Sequence, residues 1–281
     1  MPMAITNAPM TTKATAFCRR ATSDDPHSSQ TFGSGGGSSA SRRSSSSSLN
    51  GVDCTIRVVA RFDRFIDELA RVELSDRAVN QYFRGGPDAR GNALRRRNLR
   101  RYLGEMDTIG PRLLLVGEAV SHRGGRLTGI AFTSESLMLC GVDLPGGRRI
   151  LGDGYRKATT SERLSTEASA TMVWSTIRRI TPLPLLWNAF PFHPFTRGNP
   201  LSNRMPSAAE LAIGERFIEW LLRLFPIERV VAIGNHAASS LTRLGIEHVK
   251  VRHPSQGGKR LFVEGMARMS LERRPRRRCA G

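Results

Sequence analysis

The chain has 281 residues and carries 43 lysines and arginines against 24 aspartates and glutamates, a net charge of +19 at neutral pH. Residues 1–50 supply +3 of this charge and the remainder supplies +16. An excess of this size favours a polyanionic partner such as nucleic acid, through phosphate contacts and counterion release. The alternative is a general bias towards arginine with no partner. No stretch approaches the ~20 apolar residues that cross a bilayer, so we expect no membrane partner.

The four cysteines are scattered, and no two of them form a C-x-x-C pair: Cys18, Cys54, Cys140 and Cys279. This arrangement argues against zinc and iron–sulfur sites, and we expect neither a metal nor another cofactor. A disulfide framework is not expected either, which suits a reducing, cytoplasmic location. The N-terminus bears Ser and Arg and is poor in acids, so organellar targeting stays an alternative.

Composition divides the chain into a folded domain and two tails. Residues 1–52 include a segment built almost entirely of Ser and Gly, with five consecutive serines at 44–48. Such a segment buries too little apolar surface to offset its ordering entropy, so we expect it to be disordered. The folded domain is predicted over residues 53–269, and an arginine-rich tail over 270–281.

Apolar spacings of three and four predict a first helix over 56–74, and a loop follows over 81–91. The next helix, 94–103, has a strongly basic face that is either a solvated surface or a phosphate contact. Beyond it, strands and helices alternate: strands over 112–116, 185–190, 230–233 and 248–251, and helices over 161–180, 207–225, 235–244 and 259–269. This alternation predicts a three-layer α/β/α fold with a four-stranded parallel sheet.

Three polar stretches follow predicted strands, over residues 117–135, 188–204 and 253–260. Ligands bind at the carboxyl ends of parallel strands, so we expect the three stretches to meet. Together they supply a histidine, an amide, a carboxylate, a phenylalanine and several glycines, which suits a flat polar ring held without a metal. The first stretch has neither the G-K-[ST] of a P-loop nor G-x-G-x-x-G.

Each polar residue also has a purely structural alternative. Asn188 offers a donor and an acceptor to a pyrimidine edge, or it satisfies neighbouring backbone groups. His253 is placed to donate to a developing oxyanion, or it is a structural histidine. The turn after it supplies a hydroxyl, backbone amides and two cations to a phosphate, from Ser255 to Arg260.

These residues resemble the uracil-DNA glycosylase superfamily over about Leu94 to Met269. The motifs that carry the resemblance are Gly117-Glu118-Ala119 with the downstream Phe132-Thr133-Ser134-Glu135, the segment W-N-A-F-P-F-H-P that starts at Trp187, and His253-Pro254-Ser255 with its basic turn. The resemblance implies a four-stranded parallel sheet between helices. It also implies hydrolysis of the N-glycosidic bond of uracil in DNA, after the base has left the stack.

The resemblance assigns roles to individual residues. Phe132 would stack on uracil, Asn188 would read its polar edge, and His253 would donate to O2 of the departing base. Gly117 and Ala119 would line the pocket, and the Glu118 carboxylate would position water. The DNA strand would be held by Ser255, Gln256, Gly257, Lys259 and Arg260, with Gln256 or Lys259 filling the vacated gap. We expect a monomeric, bacterial-type protein that acts on uracil-containing DNA. We expect it to associate with the nucleoid through its binding to DNA.

The sequence also departs from the family pattern. First motifs of the family commonly read G-E-A-P-G, whereas Val120-Ser121 stand here, and an ordinary turn is expected. Ala119 falls where the best-known branch has a water-activating Asp, and the clustered cysteines of the iron–sulfur branch are absent. The alternative function is therefore a catalytically weak member that recognises damaged or single-stranded DNA. An unrelated α/β nucleotide hydrolase would need a carboxylate cluster, and the sequence offers none.

Overall fold

The structure is a computed structural model that describes the backbone of residues 61–271. The predicted tail at 1–52 and nearly all of the one at 270–281 lie outside this range. The helices are α1 over 61–71, then α2 (Ala89–Ile109), α3 (Gly125–Thr128), α4 (Glu135–Cys140), α5 (Ala168–Ile177), α6 (Ala208–Leu224), α7 (Asn235–Arg243) and α8 (Lys259–Leu271). The strands are β1 (Ala78–Val79), β2 (Leu113–Ala119), β3 (Val142–Asp143), β4 (Arg149–Ile150), β5 (Leu185–Phe190), β6 (His193–Pro194), β7 (Arg229–Ile233) and β8 (His248–Val251).

The main sheet has four parallel strands in the order β5-β2-β7-β8. All six residues of β5 and the first five of β2 are buried, as expected for strands covered on both faces. The predicted three-layer α/β/α architecture is confirmed. Because β5 and β7 flank β2 on opposite sides, the chain reverses direction across the sheet at β2. The carboxyl end of β2 is therefore the place where this fold opens a crevice.

Helices α1 and α6 pack on β5 through aromatic side chains. Phe65 of α1 lies with its ring 5.4 Å from that of Trp187 and 5.8 Å from that of Phe217. Helix α6 starts with a capping box, since the Ser207 hydroxyl accepts from the Glu210 N–H and the Glu210 carboxylate accepts from the Ser207 N–H. These contacts fix the edge strand that carries the second polar stretch.

The helix predicted over 161–180 is shorter than expected. It starts at Ala168 and ends at Ile177, and Leu164, inside the predicted range, is 39% exposed. The reason is the buried Glu135, whose carboxylate accepts from the Ser165 N–H at 2.9 Å and from the Thr159 hydroxyl at 2.6 Å. These bonds hold the preceding segment in an irregular path, so the helix begins only after it.

Most arginines of helix α2 form contacts within the protein. Arg95 is buried and donates to the Leu127 carbonyl at 3.2 Å, and Arg96 donates to the Tyr82 carbonyl at 2.6 Å. Arg100 pairs with Asp63, and Arg101 pairs with Glu105 at 3.2 Å. These contacts favour a structural role for the basic face of α2 over a phosphate-facing one. The helix also starts at Ala89, inside the segment predicted as a loop.

Cys140 is disulfide-bonded, which the scattered cysteines of the sequence gave no reason to expect. Across residues 61–271, no helix combines the length and the apolar character that a membrane span requires.

Candidate active site

A cavity of about 480 Å³ opens at the carboxyl ends of β2, β5 and β8. It brings together seven of the predicted site residues: Glu118, Ala119, Phe132, Asn188, His253, Ser255 and Gln256. Gly117 lies directly behind the wall of this cavity. Gly257, Lys259 and Arg260 are not part of its lining, although they belong to the adjoining turn and the start of α8. The three polar stretches thus meet as predicted.

Gly117 is the residue that lets Phe132 and Asn188 come together. A Cβ atom at position 117 would lie 2.2 Å from Cζ of Phe132 and 2.6 Å from Oδ1 of Asn188. Contacts this short are impossible, so only glycine fits. Gly117 is also the register partner of Asn188 across the β2–β5 pair. The pairing of β2 with β5 and the absence of a side chain at Gly117 therefore allow the Phe132 ring and the Asn188 amide to pack against the same backbone position.

Phe132 is held in an unusual backbone conformation, with φ of +51°. A residue with a side chain in this left-handed region costs roughly 1–2 kcal/mol, so other contacts must hold it there. The Trp174 indole N–H donates to the Phe132 carbonyl at 3.1 Å, and the Thr128 hydroxyl donates to the Thr133 carbonyl at 2.8 Å. Strain of this kind concentrates at functional sites, and here it aims the ring at the cavity.

Asn188 is 3% exposed, and its side-chain amide has no hydrogen-bond partner among the described residues. A buried amide normally bonds to the protein, because an unpaired donor or acceptor is costly. The amide of Asn188 borders the cavity instead. It is therefore available to a ligand that offers one acceptor and one donor side by side.

His253 lies at the end of β8 with one side of its ring fixed. Its Nδ1 accepts from the Ser255 N–H at 3.2 Å and lies 2.7 Å from the Ser255 hydroxyl. Burial, and secondarily the charge of Arg252, lowers the pKa of His253. The ring is therefore neutral at pH 7, and because Nδ1 is an acceptor, its proton is on Nε2. Nε2 has no partner within residues 61–271, so it is a free donor.

Glu118 supplies a half-buried carboxyl to the cavity wall. Burial raises the pKa of this carboxyl, and the nearby His236, an exposed residue at the start of α7, opposes the shift. A carboxyl in such a setting holds a proton more readily than an exposed one does. Glu118 was predicted from sequence as a site residue, but the proximity of His236 was not predicted.

Hydrogen bonds join the turn after Ala119, where Val120-Ser121 replace the commoner proline–glycine pair, to neighbouring segments. The buried His193 bonds through Nδ1 to the Val120 carbonyl at 2.9 Å, and the Val120 N–H donates to the Phe192 carbonyl at 3.3 Å. The Ser121 hydroxyl accepts from the Gly124 N–H, and the His122 N–H donates to Asn203. Hydrogen bonds thus replace the rigidity that proline supplies elsewhere in the family pattern.

Eight further lining residues were not among the predicted site residues: Val120, Ser121, Gly125, Glu167, Ser169, Asn203, Arg204 and Met205. Glu167 is the most distinctive of them, because it forms a hydrogen bond with Ser121 and burial raises its pKa. Its Oε2 is buried with no partner in the described part of the chain. A Cβ at position 124 would lie 1.9 Å from that oxygen, so a side chain there would displace the Glu167 carboxylate. No pattern in the sequence distinguishes Glu167 from a surface carboxylate.

The turn that follows His253 is tight. Gln256 and Gly257 have positive φ values, of +50° and +74°, and the Gly258 N–H donates to the Ser255 carbonyl at 3.0 Å. A Cβ on Gly258 would lie 2.0 Å from the His253 carbonyl oxygen. Arg260 pairs with Glu264 at 2.6 Å on the first turns of α8. The turn therefore presents Gln256 to the cavity and Lys259 to the surface beside it.

The residues described here include no group of His, Cys, Asp and Glu that could hold a metal ion. The side chains that border the cavity instead offer an aromatic face, a free amide, a neutral imidazole N–H and a carboxyl. This set can bind a planar heterocycle by its edge and donate a hydrogen bond to negative charge that develops on it.

Comparison with known proteins agrees with this description. The crystal structure of wild-type SMUG2 from Pedobacter heparinus matches with a TM-score of 0.50 and 16% identity, over 75% of this chain and 97% of that one, so the two share a fold. Comparison with curated proteins gives no match. The family description "Uracil DNA glycosylase superfamily" matches residues 103–262, more than half of the chain and the whole span from β2 to β8. The chain therefore belongs to the uracil DNA glycosylase superfamily.

Proposed function

We propose that the protein is a DNA repair glycosylase that takes uracil out of the DNA stack and hydrolyses its N-glycosidic bond, leaving an abasic site. One observation carries this proposal: the free amide of Asn188 and the neutral ring of His253 border one cavity, which Phe132 also lines. Family membership supports the reaction class, and the geometry supports the base.

Recognition of uracil follows from the Asn188 amide. Uracil presents an acceptor, O4, beside a donor, N3–H, and an amide pairs with both. Cytosine presents an amino group and an unprotonated N3 at the same positions, so the same amide orientation would face two mismatches. A buried site built for one hydrogen-bonding pattern rejects the opposite one strongly, because its own polar groups are left unpaired. Phe132 would stack on the base, against the backbone of Gly117 and beside Ala119.

The chemistry requires that negative charge on the leaving base be stabilised. As the bond between C1′ and N1 breaks, its electron pair stays on the base and charge spreads to O2. The Nε2–H of His253 would donate to that oxygen, and Ser255 would hold the ring in the tautomer that allows it. A water molecule oriented by Glu118 would then add its oxygen to C1′ and release a proton.

The turn after His253 is the proposed contact with the DNA backbone. Ser255, Gln256 and the backbone of Gly257 border or adjoin the cavity, and Lys259 is an exposed cation at the start of α8. Hydroxyls, backbone N–H groups and lysines commonly bind phosphate oxygens. Arg260, although paired with Glu264, would add positive charge close to the phosphate.

The test is cleavage of a labelled oligonucleotide with one uracil, followed by alkali to break the abasic site. Wild-type protein should give a uracil-dependent break, and His253→Ala should lower the rate about 100- to 1,000-fold, the usual cost of one oxyanion donor. His248→Ala is the matched control, since His248 bonds to the Ile246 carbonyl and does not line the cavity. Asn188→Asp should shift base preference, because a donor becomes an acceptor. Variants that cleave like the wild type would refute the assignments.

The alternative is a catalytically weak member that binds damaged or single-stranded DNA. Val120-Ser121, in place of the commoner proline–glycine pair, is the feature that favours this alternative, whereas the hydrogen bonds at this turn support the enzyme. Salt-sensitive binding to uracil-containing DNA with no break at any base would favour it.

A further inference from the structure

The wall of the cavity is acidic, although the chain as a whole has a net charge of +19. Glu118 and Glu167 both line it, and within residues 61–271 neither carboxyl forms an ion pair. His236, which lies near Glu118, does not border the cavity. Arg204 does border it, but its guanidinium donates to both carboxylate oxygens of Glu210, at 2.8 and 2.6 Å. The cavity therefore presents two carboxyls whose charge no lining residue balances.

The surroundings of Glu167 bring its carboxyl to the cavity. Glu167 is the residue before α5, yet its side chain makes no capping hydrogen bond to that helix. Its carboxyl bonds to Ser121 instead and lies over Gly124, where the absence of a side chain leaves room for it. Since its Oε2 is buried with no partner in the described residues, the ionised form is costly. A positively charged ligand in the cavity would offset this cost.

Two other groups of the cavity indicate the shape of such a ligand. The amide of Asn188 is 3% exposed, has no partner among residues 61–271, and offers a donor and an acceptor side by side. The ring of Phe132 can stack on a planar ring, and an aromatic face also attracts a cation. A metal ion would use neither group. The combination fits a flat heterocycle with a positive charge and a polar edge.

We propose that the cavity also accepts guanine alkylated at N7, a positively charged damaged base, and that the protein releases this base from DNA; the inference rests on the proposed function. Guanine presents the acceptor O6 beside the donor N1–H, the same pattern that uracil presents with O4 and N3–H. Asn188 would bind this edge, Phe132 would stack on the ring, and the carboxyls of Glu118 and Glu167 would bind the charge. Undamaged guanine is neutral and would leave both carboxyls without a partner.

The positive charge also changes what the reaction requires. As the bond between C1′ and N9 breaks, its electron pair moves into the imidazole ring and cancels the charge there, so the base leaves as a neutral molecule. Positive charge develops on the sugar at the same time, and the carboxylates can stabilise it. The oxygen of a water molecule then bonds to C1′, and the proton is released to solvent. No negative charge forms on the base, so the Nε2–H of His253 contributes less here than in uracil release.

The experiment measures two bases released from one duplex, which contains uracil and has been treated with dimethyl sulfate. Free uracil and free 7-methylguanine are quantified by mass spectrometry, and a reaction without protein corrects for spontaneous loss. The wild type should release both. Glu167→Gln should lower the ratio of 7-methylguanine to uracil about tenfold, because the cation loses its charged partner. His253→Ala should raise the ratio, since uracil release depends on that donor and 7-methylguanine release does not.

Glu162→Gln is the matched control for the substitution of Glu167. Glu162 is an exposed carboxylate in the same segment and does not line the cavity, so its removal should leave the ratio unchanged. If Glu167→Gln behaved like Glu162→Gln, the inference would be wrong.

A second readout does not depend on excision. Calorimetry compares the binding of the 7,9-dimethylguaninium cation with that of neutral 9-methylguanine, below the pH at which N1 of the cation loses its proton. The wild type should bind the cation about tenfold more tightly, and Glu167→Gln should remove the difference. Preference for the cation with no release of either base would refute the glycosylase and support the cationic site. Uracil release with neither 7-methylguanine release nor preference for the cation would overturn this inference alone.

Discussion

Replacing Gly117 with alanine tests the arrangement of the candidate site most directly. The new Cβ would lie 2.2 Å from Cζ and 2.7 Å from Cε2 of Phe132, and 2.6 Å from Oδ1 of Asn188. Carbon atoms in ordinary contact are about 3.5–4.0 Å apart, so the ring edge must retreat by more than about 1 Å. The backbone of Phe132 is held by Trp174, so the ring must swing at its free end, and the open space there is the cavity.

This geometry predicts a larger effect on activity than on stability. A swinging ring relieves much of the overlap, so the free energy of unfolding should fall by about 1–2 kcal/mol, in the lower range for overpacking. The same movement displaces the stacking face, and a 1 Å misplacement in an active site typically costs about 100-fold in rate. Urea denaturation and single-turnover excision of uracil measure the two effects on the same protein.

Gly104→Ala is the matched control for this substitution. Gly104 lies inside α2, and a Cβ there meets nothing within 4 Å. Alanine at a free helix position should stabilise the protein by about 0.5–1 kcal/mol and leave excision unchanged. If Gly117→Ala behaved like Gly104→Ala in both assays, the placement of Phe132 and Asn188 against Gly117 would be wrong.

Three further predictions concern charged groups. Arg204→Ala leaves the buried Glu210 without its partner and should lower the free energy of unfolding by about 3 kcal/mol, whereas Arg197→Ala, at an exposed pair, should cost under about 1 kcal/mol in the same urea titration. Burial raises the pKa of Glu167 above 4.5, so its protonated carboxyl stabilises the fold at low pH, and this contribution is lost as the pH rises through the raised pKa. Glu167→Gln should therefore flatten that part of the curve of unfolding free energy against pH. An unaltered curve would contradict this prediction. Arg252→Ala should raise the pKa of His253 by removing the lesser cause of its depression, which an NMR titration of the ring would reveal as a shift or refute as none.

The main sheet and the longer helices were predictable from sequence because most of these strands are short apolar runs and these helices carry apolar residues at spacings of three and four. Ser207 with Glu210 is a local signal, so the start of α6 was predicted to the residue. Asn188 and His253 were also predictable as neighbours, since residues at the ends of parallel strands meet at one edge of the sheet. Their roles remain proposals.

The missed features depend on contacts between distant parts of the chain. Glu167 reaches the cavity only because Glu135 holds the segment before α5 out of the helix. The arginines of α2 resembled a phosphate-binding face, but Arg95 is buried against the Leu127 carbonyl, 32 positions away. Periodicity and charge report what a segment can do alone, whereas these roles are set by tertiary partners.

The hydrogen bonds at the turn after Ala119 limit which residues this turn can accept. A proline at position 120 would remove the N–H that now donates to the Phe192 carbonyl. The same turn is bonded to His193 and Asn203, which come from the second polar stretch. Proline at position 120 would therefore leave the Phe192 carbonyl without this donor. Among related chains, we expect Val120-Ser121 to occur together with His193 and Asn203, because the turn is bonded to both.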